Sequence, residues 1–95
     1  MSNKATSSGL KTVSTVIATY PCSITHLNVT GASGTWVIYD SASTTTTGKT
    51  VIGKVTTGAS ETNKDVDYNT PIWCNEGIYI TQTGGTDFTC AYMPA

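Results

Sequence analysis

The sequence predicts an all-β fold, a small antiparallel β-sandwich of seven or eight short strands with jelly-roll or immunoglobulin-like connectivity. Threonine, whose β-branched side chain favours strands, accounts for 20 of the 95 residues. Short alternating apolar runs recur at a spacing of about ten residues, which is typical of sandwiches and barrels. Gly, Ser, Pro and Asn separate these runs, and no segment has a helical period.

The first strands are predicted from β-branched residues and from a change of parity. Val13–Thr19 is dense in such residues and ends at Pro21, since proline cannot donate a hydrogen bond to a sheet. In the next run, Cys22–Val29, the apolar alternation changes parity after Ile24. This change predicts a β-bulge or a strand that moves from one sheet to the other.

The segment Thr35–Asp40 has the strongest strand pattern in the chain. Trp36 and Ile38 fall on one face of the predicted strand, and Val37 and Tyr39 fall on the other. We expect the first pair to lead the hydrophobic core.

The second half continues with two further strands. After a polar Ser/Thr loop, Lys49–Val55 alternates and places Val51 and Val55 on one face. A second polar loop precedes a short strand at Lys64–Tyr68. The run Pro71–Cys74 then leads into a turn.

The chain ends in what the sequence predicts to be a β-hairpin. Ile78–Gln82 and Asp87–Met93 flank Gly84-Gly85, a pair that favours a two-residue primed turn. The full predicted core is Trp36, Ile38, Val51, Ile78, Ile80, Phe88 and Cys90.

Composition argues against several classes of function. The net charge is −1 and the chain has no arginine, so we expect no nucleic-acid partner. No apolar run is long enough to span a bilayer, so we expect no membrane partner. The three cysteines are odd in number and far apart, which favours free buried thiols over a disulfide framework or a zinc site.

No group of residues predicts catalysis. His26 is the only histidine, and Cys22 lies about 13 Å away along an extended strand, too far for a Cys–His pair. Asp65 and Asp67 are interpreted as a charged strand edge that blocks sheet-to-sheet pairing. We therefore predict a protein that is not an enzyme, with no catalytic residue, no cofactor and no metal site.

Four residues are predicted to contact a partner. Residues 1–11 have no core pattern and are expected to form a flexible arm on a single sandwich domain, residues 12–95. Within this arm, Lys4, Leu10 and Lys11 are the expected partner contacts. Trp73 is the fourth, because the chain has more aromatic residues than so small a core can bury.

From Leu27 to Tyr92 the chain resembles small virion proteins of tailed bacteriophages, of the head decoration or cement type. The segments that carry the resemblance are Gly34-Thr35-x followed by Val37–Asp40, Thr50–Ile52, Asn75-x-Gly77-Ile78-Tyr79-Ile80 and Thr83–Tyr92. The resemblance implies a non-enzymatic protein, made in the host bacterial cytoplasm, that bridges major capsid proteins on the virion surface. We expect it to self-associate as a homotrimer. The alternative is a receptor- or carbohydrate-binding module of a phage tail appendage.

Overall fold

A computed structural model describes residues 5–95 and confirms the all-β prediction. It contains eight strands, and every pairing between them is antiparallel. None of the described residues forms a helix that could cross a membrane. The strands are β1 (Thr6–Ser7), β2 (Thr15–Ala18), β3 (Cys22–Thr30), β4 (Thr35–Asp40), β5 (Thr50–Thr56), β6 (Asn63–Cys74), β7 (Ile78–Thr83) and β8 (Asp87–Pro94).

The strands form two four-stranded sheets packed face to face. Sheet A has the order β1-β8-β3-β6, and sheet B has the order β2-β7-β4-β5. The first strand therefore pairs with the last, the second with the seventh, the third with the sixth and the fourth with the fifth. This is the arrangement of one long antiparallel hairpin rolled into a sandwich, which is a jelly roll. The strand order thus selects the first of the two predicted connectivities.

The core lies between the sheets and contains most of the predicted residues. Trp36, Ile38, Ile78, Ile80, Phe88 and Cys90 are all buried, as predicted. They are joined by Ala18, Cys22, Ile24, Leu27, Val29, Val55, Cys74 and Tyr92. The three cysteines are buried free thiols, and Cys22 lies directly opposite Cys74 on the neighbouring strand.

Val51 does not belong to the core, so this part of the prediction is wrong. A register shift in the β4–β5 pair leaves Ile52 without a partner, while Gly53 pairs with Ile38 and Val51 pairs with Tyr39. Because the extra residue reverses the alternation, Ile52 packs against the core and Val51 faces solvent.

The predicted bulge in β3 is confirmed. The register shifts between Ile24 and His26 in both pairs that β3 makes. The intervening Thr25 donates a 3.1 Å side-chain hydrogen bond to the carbonyl of Ala91. Beyond the bulge, Leu27 and Val29 face the core, and His26 lies on the outer face.

The predicted β7–β8 hairpin is wrong, although its turn glycines have the expected conformation. Gly84 and Gly85 have φ angles of 67° and 65°. The turn nevertheless connects strands of different sheets, because β7 lies in sheet B and β8 in sheet A. It passes over the end of the core, where a side chain on Gly85 would overlap the Trp36 ring. The close approach to this ring, as well as the positive φ, requires glycine here.

Residues 5–11 of the predicted arm lie against sheet A rather than apart from it. β1 pairs with β8, and the backbone N–H of Ser8 donates a 2.7 Å hydrogen bond to the Cys90 carbonyl. Lys11 and Phe88 exchange two backbone hydrogen bonds of 2.9 Å. The remainder of the predicted arm, including Lys4, falls outside the described residues.

Candidate interaction surfaces

The predicted partner-binding residues do not form one site. Leu10 is 66% exposed, and the backbone of the adjacent Lys11 forms an antiparallel bridge with Phe88. Trp73 is 49% exposed and lies in the same row of sheet A as Met93. Phe88 and Met93 are five residues apart on β8, which corresponds to about 17 Å. Leu10 and Trp73 therefore belong to opposite ends of sheet A, and Lys4 lies outside the described residues.

Trp73, Ser23 and Met93 form a row across the outer face of sheet A. The Trp73 indole N–H donates a 2.7 Å hydrogen bond to the Asn75 side-chain carbonyl. Ser23 is opposite Trp73 on one side and Met93 on the other. The small serine thus separates two large apolar side chains.

The rest of this outer face is polar. His26 Nε2 lies 2.6 Å from Asp65 Oδ1, and Asn28 donates a 3.2 Å hydrogen bond to the same oxygen. Hydrogen bonds from Asn28 and then from His26 lower the pKa of the Asp65 carboxyl. The structure therefore pairs His26 with a surface carboxylate, while Cys22 points into the core. Within residues 5–95, no group of three or more His, Cys, Asp or Glu residues is arranged to hold a metal ion.

Sequence reasoning missed a surface on the opposite side of the sandwich. One residue from each strand of sheet B contributes to a single row on its outer face: Val16, Tyr79, Tyr39 and Val51. We call these four residues the tyrosine row. The two tyrosine rings stack with centroids 6.3 Å apart and an interplanar angle of 28°. Tyr79 is only 8% exposed, whereas Val51 at the edge is 54% exposed.

The tyrosine row follows from strands that are apolar on both faces. In β4, Trp36 and Ile38 point inward, so Val37 and Tyr39 point outward. A solvated face of an antiparallel sheet is ordinarily polar. The signal was therefore present in the sequence: a strand whose outward positions are also apolar indicates a face that contacts something.

The two outer faces differ in charge. Lys54 is opposite Val37 and is exposed, so it projects from the same face as the tyrosine row. The bulge at Ile52 brings this about, because Val51 and Lys54 are three residues apart and would otherwise face opposite ways. The paired outward positions of sheet B carry no carboxylate, whereas those of sheet A include Asp65, Asp67 and Asp87.

Comparison of this chain with protein-family models, with curated proteins and with solved structures finds no match. Its function therefore has to be inferred from the sequence and from the surfaces just described.

Proposed function

We propose that this protein is a non-enzymatic virion structural protein that decorates an assembled phage capsid by binding the major capsid protein. The observation that carries the proposal is the tyrosine row, an apolar strip that crosses all four strands on the outer face of sheet B and is most exposed at Val51. The resemblance of the segment from Leu27 to Tyr92 to small phage virion proteins supports the same class of function. A fold alone would not, because jelly rolls serve many functions.

The low charge of the chain suits this role. Only 12% of its residues are charged, so few ions lose their hydration when a large surface is covered. A capsid presents the same binding site many times, so contacts that are weak individually hold the coat through their sum.

The sandwich also provides a rigid support for such a surface. Within the described residues, every fully buried side-chain nitrogen and oxygen has a hydrogen-bond partner. Trp36 donates a 2.7 Å hydrogen bond to the Gln82 side chain, which itself donates to the Thr12 carbonyl at 2.9 Å. A surface that is ordered before binding loses less conformational entropy when it docks.

The proposal is tested on purified particles. Imaging and gel densitometry are expected to show on the order of hundreds of copies on the outer shell. Particles stripped of the protein should release their genome at a lower temperature, and adding the purified protein back should restore the original temperature. Density confined to the tail, or an unchanged release temperature, would contradict the proposal.

Self-association is a separate part of the proposal. We propose a homotrimer, because a trimer matches the threefold and quasi-threefold positions of an icosahedral shell. Light scattering of the purified protein, together with the symmetry of its density on particles, tests this part. A monomer bound away from those axes would contradict the homotrimer but would remain consistent with capsid decoration.

The half-exposed Trp73 favours the second candidate, a receptor- or carbohydrate-binding module of a tail appendage. An aromatic ring beside an amide such as Asn75 is a suitable platform for a sugar. Glycan-array binding that is lost in Trp73→Ala, together with only a few copies per particle, would select this candidate.

A further inference from the structure

We propose that the outer face of sheet B is the surface that docks, and that its occupant is a different folded protein with a carboxylate opposite Lys54. This inference rests on the proposed function and identifies the docking face, with the major capsid protein as the occupant.

This face is only partly covered within the chain itself. Tyr79 is nearly buried, but the row continues through half-buried Tyr39 to the exposed side chain of Val51. Val37, in the next row, adds a further apolar side chain. A continuous apolar patch beside an exposed charge is typical of an interaction site.

The charge of this face distinguishes among its possible occupants. Lys49 and Lys64 are paired with Glu76 and Glu61, at 2.6 and 3.5 Å. Lys54 makes no ion pair with any residue from 5 to 95.

A second copy docked through the same face would bring another Lys54 and no carboxylate from the paired outward positions. This face therefore does not suit a symmetric dimer. Complementary charges fix the choice and orientation of a partner, so the occupant has an acidic side chain at this position, which under the proposed function belongs to the major capsid protein.

The size of the face also bears on its occupant. Four strands about 4.8 Å apart and roughly six residues long give a flat face on the order of 400 Å². A stable interface of standard size buries about 800 Å² on each partner. The face is therefore too small to hold a lone pair of proteins tightly, and it fits a site that is repeated over a shell.

The test measures binding of purified protein to capsids from which the native copies have been stripped. Two variants alter the docking face, Val51→Asp and Lys54→Glu, and each places a negative charge opposite the expected carboxylate. Thr70→Asp is the matched control, because this threonine is exposed on β6 of sheet A. Thermal midpoints confirm that each variant is folded.

We expect both sheet B variants to bind about tenfold more weakly or worse, and the control to remain within about twofold of the unaltered protein. If the unaltered protein fails to bind, the proposed function and this inference both fail. If it binds and the two variants bind equally well, decoration stands and the docking face is wrong. Tighter binding by Lys54→Glu, or loss of self-association without loss of capsid binding, would overturn the assigned occupant.

Discussion

The backbone N–H of Glu76 donates a 2.8 Å hydrogen bond to the carboxylate of Asp40, although the two residues lie 36 positions apart. The backbone N–H groups of Asn75 and Gly77 donate further bonds of 2.9 and 3.4 Å to the same carboxylate. Asp40 ends β4 in sheet B, and the turn that it holds brings the chain from sheet A back to sheet B. One nearly buried acid therefore fixes a crossing between the two layers.

Removing this carboxylate should destabilise the fold. Asp40→Ala leaves three backbone donors without their partner, which is expected to cost about 2–4 kcal/mol of unfolding free energy. Urea denaturation measures the loss. Asp67→Ala is the control, since that exposed carboxylate makes no hydrogen bond within the described residues, and it should change stability by less than about 0.5 kcal/mol. Equal effects would show that the Asp40 bonds contribute nothing specific.

Two aliphatic residues of sheet B provide a test of the core. Ile80→Ala should cost about 2–5 kcal/mol, because the side chain is fully buried between the sheets. Val51→Ala should cost less than about 0.5 kcal/mol, because that side chain faces solvent. A large loss in Val51→Ala would instead place this residue in the core.

Replacing Gly85, in the turn between β7 and β8, should destabilise the fold more than replacing Gly48, in the loop between β4 and β5. The alanine in Gly85→Ala would have a positive φ, and its Cβ would overlap the buried Trp36 ring. We therefore expect a loss of more than about 3 kcal/mol of unfolding free energy. Gly48→Ala has a similar φ but open space around it, and should cost only about 1–2 kcal/mol. Equal midpoints for these two variants would mean that ring contact does not constrain the turn.

All three cysteines should be unreactive in the folded protein. Burial raises the pKa of the Cys74 and Cys90 thiols to about 12, and it also raises that of Cys22. With a pKa near 12, about one thiol in ten thousand is ionised at pH 8, and the thiolate is the reactive form. A thiol reagent should therefore label none of them before unfolding and three afterwards. Labelling of a single thiol in unfolded protein would reveal a disulfide, and Cys22–Cys74 would be the first pair to examine.

The N-terminal segment should contribute to stability as well as to any partner contact. Ser8 accepts a 2.9 Å hydrogen bond from the Cys90 backbone through its hydroxyl. Ser8→Ala should therefore cost about 1 kcal/mol, while Ser60→Ala, in an exposed loop, should be neutral. Deletion of residues 2–10 is then expected to lower the thermal midpoint. An unchanged midpoint would restore the expectation of an independent arm.

Signals that act over neighbouring residues were sufficient to predict most strands of this fold. The exceptions are β1, which was assigned to the arm, and β6, of which only a short strand at Lys64–Tyr68 was predicted. The alternation of Thr35–Asp40, the parity change after Ile24 and the paired turn glycines all correspond to what the structure contains. Each depends only on the chain within a few residues. The class of fold follows from their number and spacing.

Strand partners could not be predicted, because they depend on residues far apart in the chain. The Gly84-Gly85 turn has positive φ angles although β7 and β8 do not pair. The glycine pair therefore does not predict whether the strands that flank it pair with each other. The exposure of Val51 depends on a bulge whose position is set by the pairing with β4. The apolar outward positions of β4 indicated a covered or contacting face, but the tyrosine row as a whole exists only once four separate strands are in register.

The position of β8 has a consequence for how the protein folds during synthesis. β8 is the last strand along the chain, yet it lies inside sheet A with β1 on one side and β3 on the other. Until the ribosome has made it, β1 has no partner and β3 has only β6. Folding must therefore wait for nearly the whole sandwich sequence, and the many long-range pairings make it slow, on a timescale of about milliseconds to seconds. During that interval the apolar residues of the unfinished sheets are exposed, and exposed apolar surface and unpaired strand edges favour aggregation.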